Sequence, residues 1–156
     1  MQVPEGRQLF DRMTVQDKLL MGSYRRSDKP GIARDLDRTY AMFPQPAARR
    51  WQLAGSMSGG EQQMCAMARA LMAAPVLMMI DEMSLGLAPV IVEQLVGVLT
   101  AIRDAGVTIL LVEQDVQIAL SCVDRGYVIE TGRIVRSGAA KDLIDDPAAR
   151  QAYLGV

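Results

Sequence analysis

The stretch Val76-Leu77-Met78-Met79-Ile80-Asp81-Glu82 decides the fold. A short, unbroken apolar run ending in two acids has the pattern of a strand buried on both faces of a parallel sheet. Working outward, Ile91, Leu95, Val98, Leu99 and Ile102 recur at helical spacing, and Asp104-Ala105-Gly106 closes that helix. Thr108-Ile109-Leu110-Leu111-Val112 is a second, almost wholly apolar strand. Strand, helix and strand in this order predict a βαβ unit and an α/β fold with a parallel sheet core. Just before the run, Ser58-Gly59-Gly60-Glu61 opens a helix carrying Met64, Met67, Ala68, Leu71 and Met72 on one face, and Pro75 prevents its continuation.

The first third of the chain is helical and more polar. Thr14 is an N-cap candidate before Val15, Leu19 and Leu20, and a second helix is expected from about Ile32 to Phe43, where Pro44 and Pro46 break it. Arg25 to Gly31 reads as an exposed loop. At the other end, a helix from about Val116 to Cys122 precedes a hairpin, with Tyr127 to Glu130 and Arg133 to Arg136 flanking Thr131-Gly132. The tail from Ala139 to Val156 is expected to form two short helices interrupted by Pro147.

Composition narrows the chemistry. The chain has 156 residues, half of them hydrophobic, enough for one core. Its 17 basic and 18 acidic side chains leave a net charge of -1, so no overall positive field exists to hold nucleic acid. Phosphate binding must be local. There is no histidine, which removes Ser-His-Asp and Cys-His catalysis and histidine metal sites. Cys65 and Cys122 are the only cysteines and lie far apart, so neither a disulfide framework nor a zinc ribbon is supported, and a reducing compartment fits best. The most apolar long stretch, Cys65 to Ile80, contains Arg69 and Pro75 and is shorter than the roughly 20 residues a spanning helix needs. The N-terminus shows no secretory signal pattern, and Gln2-Val3-Pro4 looks like the end of a strand.

Asp81 and Glu82 follow each other at the carboxyl end of a strand, the usual ligand edge of an α/β sheet, and neighbouring side chains there point to opposite faces. One carboxylate can hold a metal while the other orients water. For an isolated Asp-Glu pair an ordinary exposed strand end is the better reading. Ser58-x-x-Glu61 likewise satisfies the capping-box pattern, which alone explains it. Gly59 and Gly60, however, leave bare amides at the positive end of the helix dipole, an arrangement suited to phosphate.

The ordered set changes the weighing. Met57-Ser58-Gly59-Gly60-Glu61, a helix, Val76 to Glu82, and Ser84-Leu85-Gly86-Leu87 directly behind resemble the ATP-binding subunit of ABC transporters. In that family these are the signature motif (usually Leu-Ser-Gly-Gly-Gln), the Walker B strand with its catalytic Glu, and the D-loop. Val3-Pro4-Glu5-Gly6-Arg7, Arg12-Met13-Thr14-Val15, Val112-Glu113-Gln114 and Asp124-Arg125-Gly126-Tyr127 are similar to one branch, the ATPase subunits of branched-chain amino acid importers.

The resemblance covers essentially the whole chain and implies a P-loop NTPase-like ABC ATPase domain fragment with a helical subdomain, a parallel sheet core, and a C-terminal β-hairpin plus helices. Residues 13–75 would be the helical subdomain and signature helix, 76–137 the Walker B sheet core and 138–156 a helical tail. It further implies ATP and Mg2+ as cofactors. Asp81 would hold the magnesium, with Glu5 a second metal ligand at the Q-loop position, and Glu82 would polarise the attacking water. Ser58 and Gly60 would bind the γ-phosphate of a nucleotide held by the opposite subunit, with Gly59 and Glu61 beside them in the ATP-binding set. Ser84 and Gly86 would connect the two sites of a head-to-tail dimer. Gln114 would act as the switch residue. The implied partners are a homologous ATPase subunit, membrane permease subunits and, indirectly, a periplasmic solute-binding protein, with no nucleic acid. The implied place is the cytoplasmic face of the plasma or inner membrane, as a peripheral subunit.

Three departures stand out. Glu5 replaces the usual Q-loop glutamine and adds negative charge beside phosphates. Gln114 replaces the usual switch histidine; its amide can donate a hydrogen bond but cannot titrate near neutral pH. Both replacements are familiar in the branched-chain importer branch. The third is larger: no G-x-x-x-x-G-K-[ST] occurs, and Lys18, Lys29 and Lys141 have no glycine loop beside them. These residues are therefore expected to be the C-terminal part of such a domain, unable to hydrolyse ATP unaided. The alternatives are a non-catalytic partner or incomplete gene product supplying only the signature half-site, and a non-transport ABC ATPase acting on DNA or ribosomes. The near-neutral charge and lack of basic insertions speak against the last.

Overall fold

The apolar runs become strands of one parallel sheet. In the computed structural model, which describes residues 1–6 and 10–145, β1 (Gln2–Val3), β2 (Leu77–Asp81) and β3 (Thr108–Val112) lie side by side in that order. Leu77 stands opposite Thr108 and Asp81 opposite Val112, while Gln2 and Val3 pair with Met79 and Ile80. The strand character expected of Gln2-Val3 is thus present. The crossover between β2 and β3 is α5 (Pro89–Asp104), which opens with proline in its first turn and buries Val92, Leu95, Leu99 and Ile102. Ile91 and Val98, also expected on its inner face, are half-buried. Gly106, with φ of +91°, takes the left-handed turn that ends the helix.

One expectation fails in the sheet. Burial along β2 alternates: Met78 and Ile80 are buried, whereas Leu77 and Met79 are 40% and 38% exposed. The parallel register continues the open face into Leu110 and Val112, 50% and 54% exposed. A continuous apolar run is the composition of a strand with cover on both sides, but among the described residues only the face bearing Val3, Met78 and Ile80 is covered.

The helical part is built against the signature helix. α1 (Val15–Gly22) starts at Thr14, whose hydroxyl accepts from the Asp17 amide at 3.1 Å, as the capping pattern predicts. α2 (Lys29–Met42) begins three residues before the expected Ile32, because Pro30 sits in its first turn with a φ already suited to a helix. The loop read as Arg25 to Gly31 is shortened accordingly. Pro44 does not only break a helix: it opens a further one, α3 (Pro44–Ala48). α4 (Gly59–Leu71) is buried from Gln63 through Ala68, not along one face alone, since α1, α3 and β1 all pack against it. At Gly22 any side chain would collide with the Arg69 carbonyl, so glycine permits the close approach of α1 to α4. Lys18 is fully buried in this contact, its ammonium 5.2 Å from the Phe10 ring centre. Burial pushes its pKa below the ordinary lysine value.

The chain divides into two compact units, Met1–Val112 and Glu113–Val156. In the second, α6 (Val116–Ser121) is capped by Asp115, whose carboxylate accepts from the Ile118 amide at 3.0 Å. β4 (Arg125–Glu130) and β5 (Arg133–Ala139) form the expected antiparallel hairpin, each longer than the sequence pattern marked. Thr131 and Gly132 both have positive φ, +47° and +76°, as a two-residue turn matching the strand twist requires. α7 (Ala140–Asp145) packs Ala140 and Leu143 onto Leu120. The second tail helix expected beyond Pro147 lies outside the described residues.

Candidate functional site

The glycine-flanked helix start is held as a capping box with an added ion pair. Ser58 Oγ accepts from the Glu61 amide at 3.4 Å. Glu61 Oε2 accepts from the Ser58 amide and hydroxyl, both at 2.8 Å. Glu61 Oε1 receives Arg49 Nε, also at 2.8 Å. Partial burial works to raise the Glu61 pKa, but the two Ser58 bonds and the Arg49 charge outweigh it and hold the carboxyl below its usual value. Ser58 stays exposed, while Gly60 is buried, with room for a Cβ denied by Ile91.

The segment leading into this cap is braced from both sides. Val15 and Gln16 donate to the Gln52 and Arg50 carbonyls, and Ala54 donates back to Met13. Gln52 Nε2 donates to Ser56 Oγ at 2.9 Å, and Gln62 Nε2 reaches the Met57 carbonyl at 3.2 Å. Arg49 Nη1 donates to Gln52 Oε1 at 3.2 Å. Pro44, Gln45, Ala48, Arg49, Ser58, Glu61 and Ile91 line an open cavity of about 490 Å³ directly over the cap. Its chemistry is one exposed hydroxyl, a compensated carboxylate and a guanidinium at a helix N-terminus, a combination that can receive an anion.

The second cluster sits at the end of β2. Asp81 shares the open sheet face with Leu77 and Met79 by strand alternation, half-buried at the carboxyl edge. Glu82 leaves the strand with φ of +47° while its amide still donates to the Val112 carbonyl at 2.9 Å. A non-glycine residue in that region costs on the order of 1 kcal/mol or more, and strain of this kind collects at functional sites. Behind it, Met83 is buried, Ser84 is half-buried, and Leu87 donates to the Ser84 carbonyl around Gly86, whose φ is +68°.

Register brings Glu5 to the same edge: Val3 stands opposite Ile80, so the chain beyond it runs out beside Asp81 and Glu82. Glu5 itself is exposed in a turn with Gly6, φ +73°. Among the described residues no group of three or more His, Cys, Asp or Glu could enclose a metal ion. The available donors, one or two carboxylates at an open edge, fit Mg2+, which keeps its waters and binds mainly through substrate phosphates. Gln114 belongs to the other compact unit, exposed immediately before the Asp115 cap of α6. The sequence reading missed Arg49 and Gln52. Nothing in their spacing marks them: Arg49 reaches Glu61 from twelve positions away, and Gln52 bonds Arg49 and Ser56.

Comparison with known proteins places these features in context. The family model described as ABC transporter matches residues 2–84. The high-affinity branched-chain amino acid transport ATP-binding protein BraG of Pseudomonas aeruginosa is 47% identical over 153 residues, covering 98% of this chain and 65% of the relative. The probable branched-chain amino acid transport ATP-binding protein LivF of Archaeoglobus fulgidus is 34% identical over 155 residues, covering 99% of this chain and 65% of that protein. This chain thus spans 65% of the length of both relatives. Among solved structures, an ATP-binding cassette of an ABC transporter in its ADP conformation superposes with a TM-score of 0.84 at 23% identity, over 100% of this chain and 68% of the other. At that identity the likeness establishes the α/β cassette fold. No described helix is long and apolar enough to cross a membrane.

Proposed function

The chain belongs to the ABC transporter family, and on that premise we propose that it serves as an ATP-binding, energy-coupling subunit of an importer for branched-chain amino acids. The observation that carries this reading is the ordered pair of sites: a capped, glycine-flanked helix start at Ser58 and a strained acid, Glu82, at the carboxyl end of the central strand. The relatives named for branched-chain amino acid transport support the choice of solute.

In this reading Ser58 and Gly60 bind the γ-phosphate of ATP held by a homologous subunit in a head-to-tail dimer, with Gly59 and Glu61 beside them in the ATP-binding set. Asp81, with Glu5, would hold Mg2+, and the ion would supply charge neutralisation on the phosphates. Glu82 orients the attacking water and takes its proton, giving ADP and phosphate. Gln114 donates its amide to the γ-phosphate, and Ser84 and Gly86 couple the two sites. The subunit works at the cytoplasmic face of the membrane against permease subunits fed by a solute-binding protein. The helical subdomain and signature helix occupy 13–75, the Walker B core 76–137 and the tail 138–156.

The 156 residues contain no G-x-x-x-x-G-K-[ST]. Alone they have no loop to cradle the β- and γ-phosphates, so by themselves they do not turn over ATP and contribute the signature half-site to a nucleotide-loaded partner. The test joins residues 1–156 behind a segment carrying that glycine loop and expresses the product in cells lacking the importer's own ATPase. Restored uptake of radiolabelled leucine is expected. ATP turnover with no uptake of any branched-chain amino acid would contradict the importer assignment.

A further inference from the structure

Glu61 presents a problem for phosphate binding that the structure itself resolves. A carboxylate in the first turn of α4 occupies the positive end of the helix dipole, and it holds the Ser58 hydroxyl by a 2.8 Å bond. An incoming γ-phosphate needs both the field and that hydroxyl. If Ser58 turned away, a carboxylate 14% exposed would lose a charge-assisted partner beside an anion. Arg49 supplies the compensation: its Nε lies 2.8 Å from Oε1, the oxygen that Ser58 does not use. Its Nη1 is steadied by Gln52 at 3.2 Å, and Arg49 also lines the cavity over the cap.

We infer that Arg49 is a positioning residue for the signature helix: it neutralises and fixes Glu61, so that the Ser58 hydroxyl is free to turn from Glu61 to a phosphate. Resting on the function proposed above, the inference adds a residue that the motif does not contain. A glutamine at position 61 would bring no negative charge to the helix start. Here the two side chains form one device, and removing Arg49 leaves a bare negative charge where phosphate must bind. Because Arg49 acts through Glu61, its loss is harmless once that charge is gone.

The experiment titrates the purified 156-residue chain into a Mg-ATP-loaded, intact branched-chain importer ATPase whose own hydrolysis is blocked by substitution, and reads the apparent Kd by fluorescence anisotropy. Arg49→Ala should weaken Mg-ATP-dependent association about three- to tenfold, a loss the size of one partly exposed charge, shrinking as salt rises. Glu61→Gln, itself a change within the binding site, sets the reference against which a further loss of Arg49 is read. The pair Arg49→Ala/Glu61→Gln should match Glu61→Gln alone. Wild-type binding with an unaffected Arg49→Ala variant, or a double variant as weak as Arg49→Ala, overturns the role of Arg49 and leaves the half-site reading standing. No Mg-ATP-dependent association of the wild-type chain overturns both.

Discussion

A methyl group added at Gly60 tests how the signature helix is seated. An ideal Cβ there would lie 2.6 Å from Ile91 Cγ2 and 3.3 Å from Cγ1, against a favourable carbon contact of about 3.5–4.0 Å. Ile91 is β-branched and sits in the first turns of α5, where one χ1 is strongly preferred, so it has little freedom to swing aside. Forced overpacking of this kind costs about 1–3 kcal/mol. Replacing glycine by alanine in a helix returns roughly 0.5–1 kcal/mol. The net expectation for Gly60→Ala is a loss of about 1–2 kcal/mol, or a fall in Tm of about 3–6 °C for a chain of this size. Gly97→Ala is the matched control: in mid-α5, exposed, with nothing within 4 Å of its Cβ, it should gain about 0.5–1 kcal/mol. Urea unfolding followed by circular dichroism reads both. A Gly60→Ala variant as stable as Gly97→Ala would refute the packing argument, and Ile91→Ala in the Gly60→Ala background should recover part of the loss if contact with Ile91 is its cause.

Further expectations concern charge, thiols and the open sheet. Glu61 has a folded pKa below its ordinary value of 4.5, so its stabilisation is fully present above that value and lost as pH falls through the folded pKa; urea midpoints of wild type should drop more steeply on acidification than those of Glu61→Gln, and parallel curves would contradict the capping network. Burial pushes the Cys65 thiol up to about 11, with Lys18 and Arg69 pulling the other way, so at pH 8 a thiol reagent should label the half-buried Cys122 while Cys65 reacts only after unfolding. Native labelling of Cys65 at a comparable rate would show that the α1–α4 contact opens. The exposed Leu77, Met79, Leu110 and Val112 form a contiguous apolar face, which should bind 8-anilinonaphthalene-1-sulfonate; Met79→Thr/Leu110→Thr should reduce the fluorescence, and no dye binding by wild type would mean that this face is covered.

How much of this was legible depends on the range of the interaction. Strand β2, helix α5 and strand β3 follow from local patterns, because an apolar run bounded by Pro75 and Asp81-Glu82 and a helical repeat closed by Asp104-Ala105-Gly106 are short-range signals. The Ser58–Glu61 box was readable for the same reason: its partners are three residues apart. Which face of the sheet is covered was not readable, since Leu77 and Met78 are equally apolar and only the surroundings separate them. The left-handed backbone at Glu82 carries no sequence mark, as glycine would. Arg49 was invisible because its partner stands twelve positions away, brought near by the bonds that tie Arg50, Gln52 and Ala54 to residues 13–16. Pro44 carries the mark of a breaker after α2, and the same fixed φ suits it to the first turn of α3.

The most direct test of the central claim is the effect of Glu82→Gln on ATP turnover and ATP binding, measured side by side in residues 1–156 joined to a glycine-loop segment. If Glu82 orients and deprotonates the attacking water, turnover falls at least a hundredfold, within the range a general base supplies, while the Kd for Mg-ATP stays within a few-fold of the unsubstituted protein. Undiminished turnover in the Glu82→Gln protein would contradict the assignment of the strand end as the catalytic edge.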